Sequence, residues 1–212
     1  QVKEWNVVGT LSRGGKDIYA LDWSADSTQL VAGAFDGVVY LWHLNRTQGS
    51  RCNEISDHFT IIQGLRFDPL NSFLVTQSAD RSVRLYKKDK LGRRLYCAHH
   101  LRIRVTDVEI ERTKRRKALV EGIPEAEEDT TTYFQHKYFH DDSIPTFFRR
   151  PDWSPEGQLL LLPCGQQFEN PAQKEVTHVT WIFTRGNCVR PSACIPSKDA
   201  TIVAKFSPVL YK

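Results

Sequence analysis

Two stretches of the chain alternate apolar and polar side chains and break at matching places. In Asp17–Trp42 (DIYALDWSADSTQLVAGAFDGVVYLW), Ile18, Leu21 and Trp23 lead into Ser24-Ala25-Asp26-Ser27, and the apolar run resumes at Leu30. Ile61–Tyr86 (IIQGLRFDPLNSFLVTQSADRSVRLY) lies over it at a shift of 44 places. Ile18 falls on Ile62, Leu21 on Leu65, Trp23 on Phe67, Leu30 on Leu74, Asp36 on Asp80 and Trp42 on Tyr86. Alternation at period two predicts half-buried strands, and Ser24–Ser27 and Asp68-Pro69-Leu70-Asn71 predict turns between them. Phe35-Asp36-Gly37 and Ala79-Asp80-Arg81 predict a second, tighter hairpin. Each unit then holds about four short antiparallel strands, with Trp42 or Tyr86 closing the third.

A third unit follows at RRPDWSPEGQLLLLP, where Trp153 takes the place of Trp23 and Phe67, Pro155 that of Pro69, and Leu160 that of Leu74. Phe148 falls where Ile18 and Ile62 sit, so Phe147 and Phe148 are expected in the core. PCGQQFENPAQKEVTH reads as a polar hairpin loop, after which Val179–Phe183 resumes as the third strand. A fourth unit begins at ATIVAKFSP, and Trp5–Leu11 reads as the outer strand of a blade whose start is absent.

This period and strand count resemble the WD40 repeat of β-propellers. The resemblance implies a structural hydrogen-bond network of a loop His, a strand Ser or Thr, a hairpin Asp and a strand-end Trp. His58, Thr76 and Asp80 match it in the second unit, with Tyr86 in the Trp place. The first unit keeps Asp36 and Trp42 but has Ala32 for the Ser or Thr and no His, so its network is incomplete. His58 and Asp80 are therefore expected to fix a turn as buried polar partners, not to act as a catalytic pair. The expected fold class is all-β, residues 1–212 being part of one propeller: outer strand 5–11, blade 17–52, blade 58–104, charged insertion 105–138, blade 139–195 and the start of another at 199–212. Three units and two partial ends do not close a seven-bladed ring, which takes about 300 residues at this period.

Composition changes the picture in one place. The chain has 212 residues, is 40% apolar and carries a formal charge of +4, which excludes a histone-like polycation. Within it, Lys87–Lys117 holds twelve Lys or Arg against four acids, whereas Ala118–Asp129 holds five acids and no base. The insertion reads as an excursion above the ring, part helix and part disorder. Its Lys114-Arg115-Arg116-Lys117 run is a candidate docking or nuclear-import element. Five cysteines (Cys52, Cys97, Cys164, Cys188, Cys194) without a C-x-x-C pair fit reduced, buried thiols. The first ten residues lack the apolar core of a signal peptide, and the longest aliphatic run, Leu159–Leu162, is far below the ~20 residues that span a bilayer, so a soluble, intracellular protein is expected.

His140-Asp141-Asp142 invites a metal-site reading, but adjacent positions splay to opposite sides of a strand and no second ligand pair follows at suitable spacing. Cys97 near His99 and His100 sits in an expected outer strand, and no G-x-S-x-G, Walker A or G-x-G-x-x-G pattern occurs. No catalytic residue, cofactor or metal is expected.

At YFHDDSIPTFFRRPDWSPEGQLLLLPCG the chain closely resembles the family of middle, WD40-repeat subunits of chromatin assembly factor 1. EWNVVGTL…KDIYALDWSADS before it and RPSACIPSKDATIVAKFSPVLY after it agree, while the insertion is longer and more charged than the family's. The resemblance implies a nuclear, non-enzymatic scaffold that works with a large and a second WD40 subunit to deposit histone H3–H4 on replicating DNA, touching DNA only indirectly. Candidate partner contacts are Asp141, Asp142, Arg149, Arg150 and Lys114–Lys117, with Arg149 and Arg150 also readable as internal ion-pair partners. A replication-independent histone regulator with a similar propeller, or a ubiquitin-ligase substrate receptor, are the alternatives.

Overall fold

The computed structural model describes residues 4, 6–7, 9–13, 15–44, 50–89, 94–108, 132–168 and 176–208. Three four-stranded antiparallel sheets carry the chain. The first is β1 (Ile18–Trp23), β2 (Gln29–Ala34), β3 (Val39–His43) and β4 (Arg51–Ile55); the second is β5 (Ile62–Phe67), β6 (Phe73–Ser78), β7 (Ser82–Lys88) and β8 (Leu95–Leu101). The insertion is flanked by a two-stranded ladder of β9 (Ile103–Val108) and β10 (Thr132–Lys137). The third sheet is β11 (Asp152–Trp153), β12 (Leu159–Gln167), β13 (Thr177–Thr184) and β14 (Ala193–Ser197). Strand order follows chain order in each four-stranded sheet, the meander of a propeller blade.

The repeat read from the sequence is the repeat of the structure. Trp23 pairs with Leu30, Phe67 with Leu74 and Trp153 with Leu160, so the three aromatics hold one register position. The turns after them match as well: Ser27 N–H donates to Ser24 O, Asn71 N–H to Asp68 O and Gly157 N–H to Ser154 O, with φ of 56°, 57° and 73° at the three closing residues. Polar side chains fasten these turns, Asp26 accepting from Thr28 N–H (3.0 Å) and Asp68 from Ser72 N–H (3.0 Å).

Two apolar layers join the sheets. Val31, Val39 and Leu41 of the first sheet meet Ile62, Leu65, Phe67, Leu74 and Tyr86 of the second. Val75, Val83 and Leu85 on the opposite face of the second sheet meet Trp153, Leu160, Leu162, Val179, Trp181 and Phe183 of the third. Phe67 and Trp153 thus pack back onto the preceding sheet. Trp23 has no preceding sheet among the described residues and is 52% exposed, whereas Phe67 and Trp153 are buried.

A charged seam runs beside these aromatics. Asp22 accepts from Phe67 N–H (2.7 Å) and from Arg66 Nη1 (3.0 Å). Arg66 Nε reaches Asp152 (3.1 Å), and Asp152 accepts from Phe206 N–H (2.9 Å). The residue before each aromatic therefore couples one inner strand to the next. Its alternating signs (Asp22, Arg66, Asp152, Lys205) stand in the sequence at one repeat position.

Four expectations change. Described residues of 5–11 form no strand, because none of them meets a partner strand whose ladder bonds would hold one. The stretch starting at Pro163 is not yet a hairpin loop: β12 continues to Gln167 past a bulge at Pro163-Cys164, where Cys164 has φ 60°. The insertion's described flanks are strand, not helix or disorder, and its centre, with Lys114, Arg115, Arg116 and Lys117, lies outside the described residues. Phe147 and Phe148 are not core; they are 63% and 38% exposed.

Candidate functional site

Leaving β10, residues 138–140 run along the second half of β12: Gln166 N–H donates to Tyr138 O (2.9 Å) and His140 N–H to Cys164 O (3.0 Å). The chain then loops out over 141–148 and returns at Arg149, whose N–H donates to Gln63 O (2.9 Å) on the second sheet. The place taken by one continuous inner strand in the second sheet is thus filled here by two segments with an outward loop between them. That is why the phenylalanines just before Arg149 sit outside.

Arg149 occupies the interior in their stead and is fully buried. Its Nη1 donates to His140 O (2.5 Å) and its Nη2 to Asp141 O, so the guanidinium pins the loop's first two carbonyls. No carboxylate oxygen among the described residues touches it; its two acceptors are neutral carbonyls, which corrects both the partner-contact reading and the ion-pair reading of this residue. Arg81 Nε adds a bond to Phe139 O (3.1 Å), and its Nη1 stands 3.7 Å from Asp141. Gln63 Nε2 holds Thr146 O (2.9 Å). The loop is braced from the second sheet and from its own return segment.

What it presents outward is acidic and aromatic. Asp141 accepts from Ser143 N–H and Oγ, and those bonds hold its carboxyl below the ordinary carboxylate range. Asp142 is exposed. Arg150 is exposed too and lies 4.6 Å over the Phe148 ring, while its backbone pairs with Val203.

His140 is buried beneath the loop, its Nε2 2.9 Å from Nδ1 of His178. Burial, then the charges of His178 and Arg149, hold its pKa at about 4 against an ordinary 6.5. The unfolded ring therefore takes up a proton first as pH falls, and stability present above pH 6.5 is lost down to about 4. Buried His136, also held at about 4 chiefly by burial, acts in the same direction. Replacing His140 with glutamine is expected to reduce the acid sensitivity of unfolding in that window by about one proton. Urea midpoints at successive pH values check this, and an unchanged pH slope contradicts it.

Three polar side chains meet in the second unit. His58 Nδ1 lies 2.8 Å from Asp80 Oδ2, and its Nε2 2.8 Å from Thr76 Oγ1. Burial alone raises the Asp80 pKa, but the His58 bond and charge with the Ser82 bond outweigh it and hold the group at about 2. Ser82 Oγ also donates to Asp80, a member that the repeat pattern does not reveal. Tyr86 does not complete the chain of bonds: its ring packs with Leu74 and Ile62, and the hydroxyl lies outside the network. In the first sheet Asp36 is exposed and accepts from Val38 N–H (3.2 Å), while Trp42 packs with Ala32, Ala34 and Tyr40.

Cys97 Sγ faces its own strand at His99 O (3.4 Å), and burial pushes the thiol's pKa up, away from the reactive thiolate. No group of three His, Cys, Asp or Glu side chains among the described residues converges as metal ligands. No helix among them is long and apolar enough to cross a membrane.

A family model described as the CAF1B/HIR1 beta-propeller domain matches residues 1–212. The chain is 29% identical to a chromatin assembly factor 1 subunit of Gallus gallus, over 99% of this chain and 32% of that protein. It is 31% identical to a chromatin assembly factor 1 subunit of Saccharomyces cerevisiae, over 99% of this chain and 44% of that one. Protein HIR1 of Kluyveromyces lactis is 24% identical over 100% of the chain and 20% of its own length. The chain thus spans less than half the length of each of these relatives.

Proposed function

Because the chain belongs to the CAF1B/HIR1 beta-propeller domain family, we propose that it is a non-enzymatic scaffold of a nuclear histone chaperone complex. In this reading it works with the large and second WD40 subunits of chromatin assembly factor 1 to place histone H3–H4 on newly replicated DNA. The family match over the whole chain carries the proposal. The replication-coupled branch is favoured over the HIR1 type by identities of 29% and 31% against 24%.

The physical support is the braced loop. A scaffold needs contact groups held rigid before the partner arrives, since ordering them on binding costs affinity. Arg149, Arg81 and Gln63 fix 141–148 in that way and leave Asp141, Asp142 and Arg150 at the surface. Asp141 and Asp142 are proposed to meet basic segments of histone or of the large subunit, and Lys114–Lys117 to serve docking or import.

Depleting the natural protein from a replication extract and restoring it tests this. Restored nucleosome assembly on replicated DNA, with none gained on unreplicated DNA, is the expected result. Equal restoration on both templates favours the HIR1-type reading. Substituting Asp141→Asn with Asp142→Asn is expected to weaken histone H3–H4 retention about fivefold while the melting temperature holds. Unchanged retention removes the acidic pair from the interface.

A further inference from the structure

The rim that carries the 141–148 loop also carries apolar surface that the acidic pair does not explain. Phe35 is 54% exposed on the β2–β3 hairpin, and Phe147 protrudes from the loop of the third sheet. Tyr19, at the start of β1, lies between them, its ring centroid 6.1 Å from Phe35 and 5.9 Å from Phe147. Phe59 stands exposed on the next turn, whose His58 and Thr60 carbonyls press on Gly37 of the same hairpin. Rings from the first and third sheets thus touch in one strip, with Phe59 beside it. Trp181, Phe183, Tyr86 and Phe139 of the same sheets are by contrast fully buried.

Carboxylates accompany the strip. Asp17, whose carbonyl accepts from Phe35 N–H, and Asp36 flank Phe35, and Asp141 and Asp142 stand on the loop that carries Phe147. Among the described cations, Arg81 is engaged on Phe139 O and Asp141, and Arg150 lies over Phe148.

We infer that the Tyr19–Phe35–Phe147 strip seats an extended protein segment in which basic residues flank a central apolar side chain. Two ring-to-ring steps span up to about 12 Å, the reach of three to four extended residues. An apolar anchor on Tyr19 therefore puts its flanking side chains near Asp36 on one side and Asp141 and Asp142 on the other. Aromatic anchors ringed by complementary charge are how such surfaces concentrate binding energy. A nucleic-acid backbone does not suit the rim, because its phosphates meet four carboxylates. The inference rests on the scaffold reading only in taking a protein as the partner.

The test uses the full natural chain and three fluorescein-labelled peptides of one length: a Lys-Leu-Arg repeat, the same peptide with Ser for Leu, and the same with Glu for Lys and Arg. The Lys-Leu-Arg probe is expected to bind at least tenfold tighter than either of the others. Combining Phe35→Ser with Phe147→Ser is expected to remove that preference with the circular dichroism spectrum retained. Asp142→Lys, at an exposed position, gives a second variant should the first misfold, and a threefold or greater loss is expected. Binding of the acidic or Ser-substituted peptide as tightly as the first, or a folded variant that binds undiminished, overturns the inference. Replication-coupled assembly measured on the same variants separates the two readings: lost peptide binding with assembly intact sinks the strip and leaves the scaffold standing.

Discussion

Replacing Arg149 with alanine is expected to destabilise the chain by about 3–5 kcal/mol, since it leaves two buried carbonyls without donors and opens a cavity. The side chain is fully buried, and its fork reaches His140 O and Asp141 O together. Lysine keeps the charge but cannot reach both carbonyls in one plane, so Arg149→Lys is expected to recover little. The 141–148 loop should also lose order, seen as faster amide exchange at Ser143, whose N–H is held by Asp141. Chemical denaturation of the two variants checks this. A loss below about 1 kcal/mol for alanine shows that water serves the carbonyls equally well.

Gly64→Ala is expected to be nearly as damaging. A Cβ built there overlaps Arg149 O and comes 2.9 Å from Pro151 Cδ, so the inner strand of the second sheet and the return segment of the third must separate. Forced separation of packed backbone costs about 1–3 kcal/mol or more. Gly186→Ala is the control, because nothing lies within 4 Å of the added methyl. A thermal shift of several degrees for the first, against little for the second, is the expected pair of results. Equal melting temperatures contradict the close approach of the two inner strands.

Local patterns made the blades legible. Alternation, turn residues and a spaced aromatic each report on their own few residues, and those suffice to place Trp23, Phe67 and Trp153 in one register. Departures from the repeat are where sequence reasoning fails. Pro163-Cys164-Gly165 looks like a turn, yet a bulge carries β12 through it, and Gly165 is needed because any Cβ meets the Trp181 ring at 2.6 Å. Which residue of Phe147-Phe148-Arg149-Arg150 enters the core depends on where the outward loop returns, a long-range fact settled by Gln63 and Cys164. Periodicity favours the phenylalanines; the carbonyls of His140 and Asp141 instead demand a buried donor, and Arg149 supplies it. Of the candidate contacts, Asp142 and Arg150 are exposed, Asp141 is half-buried and Arg149 is fully buried. The seam of Asp22, Arg66 and Asp152 has a signal in the sequence, opposite charges at one repeat position, that apolar matching passes over.

The most direct measurement is affinity purification of the natural full-length protein from replicating nuclei, with mass spectrometric quantification of what comes with it. The scaffold account predicts two further chromatin assembly subunits in stoichiometric yield, together with histones H3 and H4. Recovery of ubiquitin-ligase scaffold proteins without histones contradicts it.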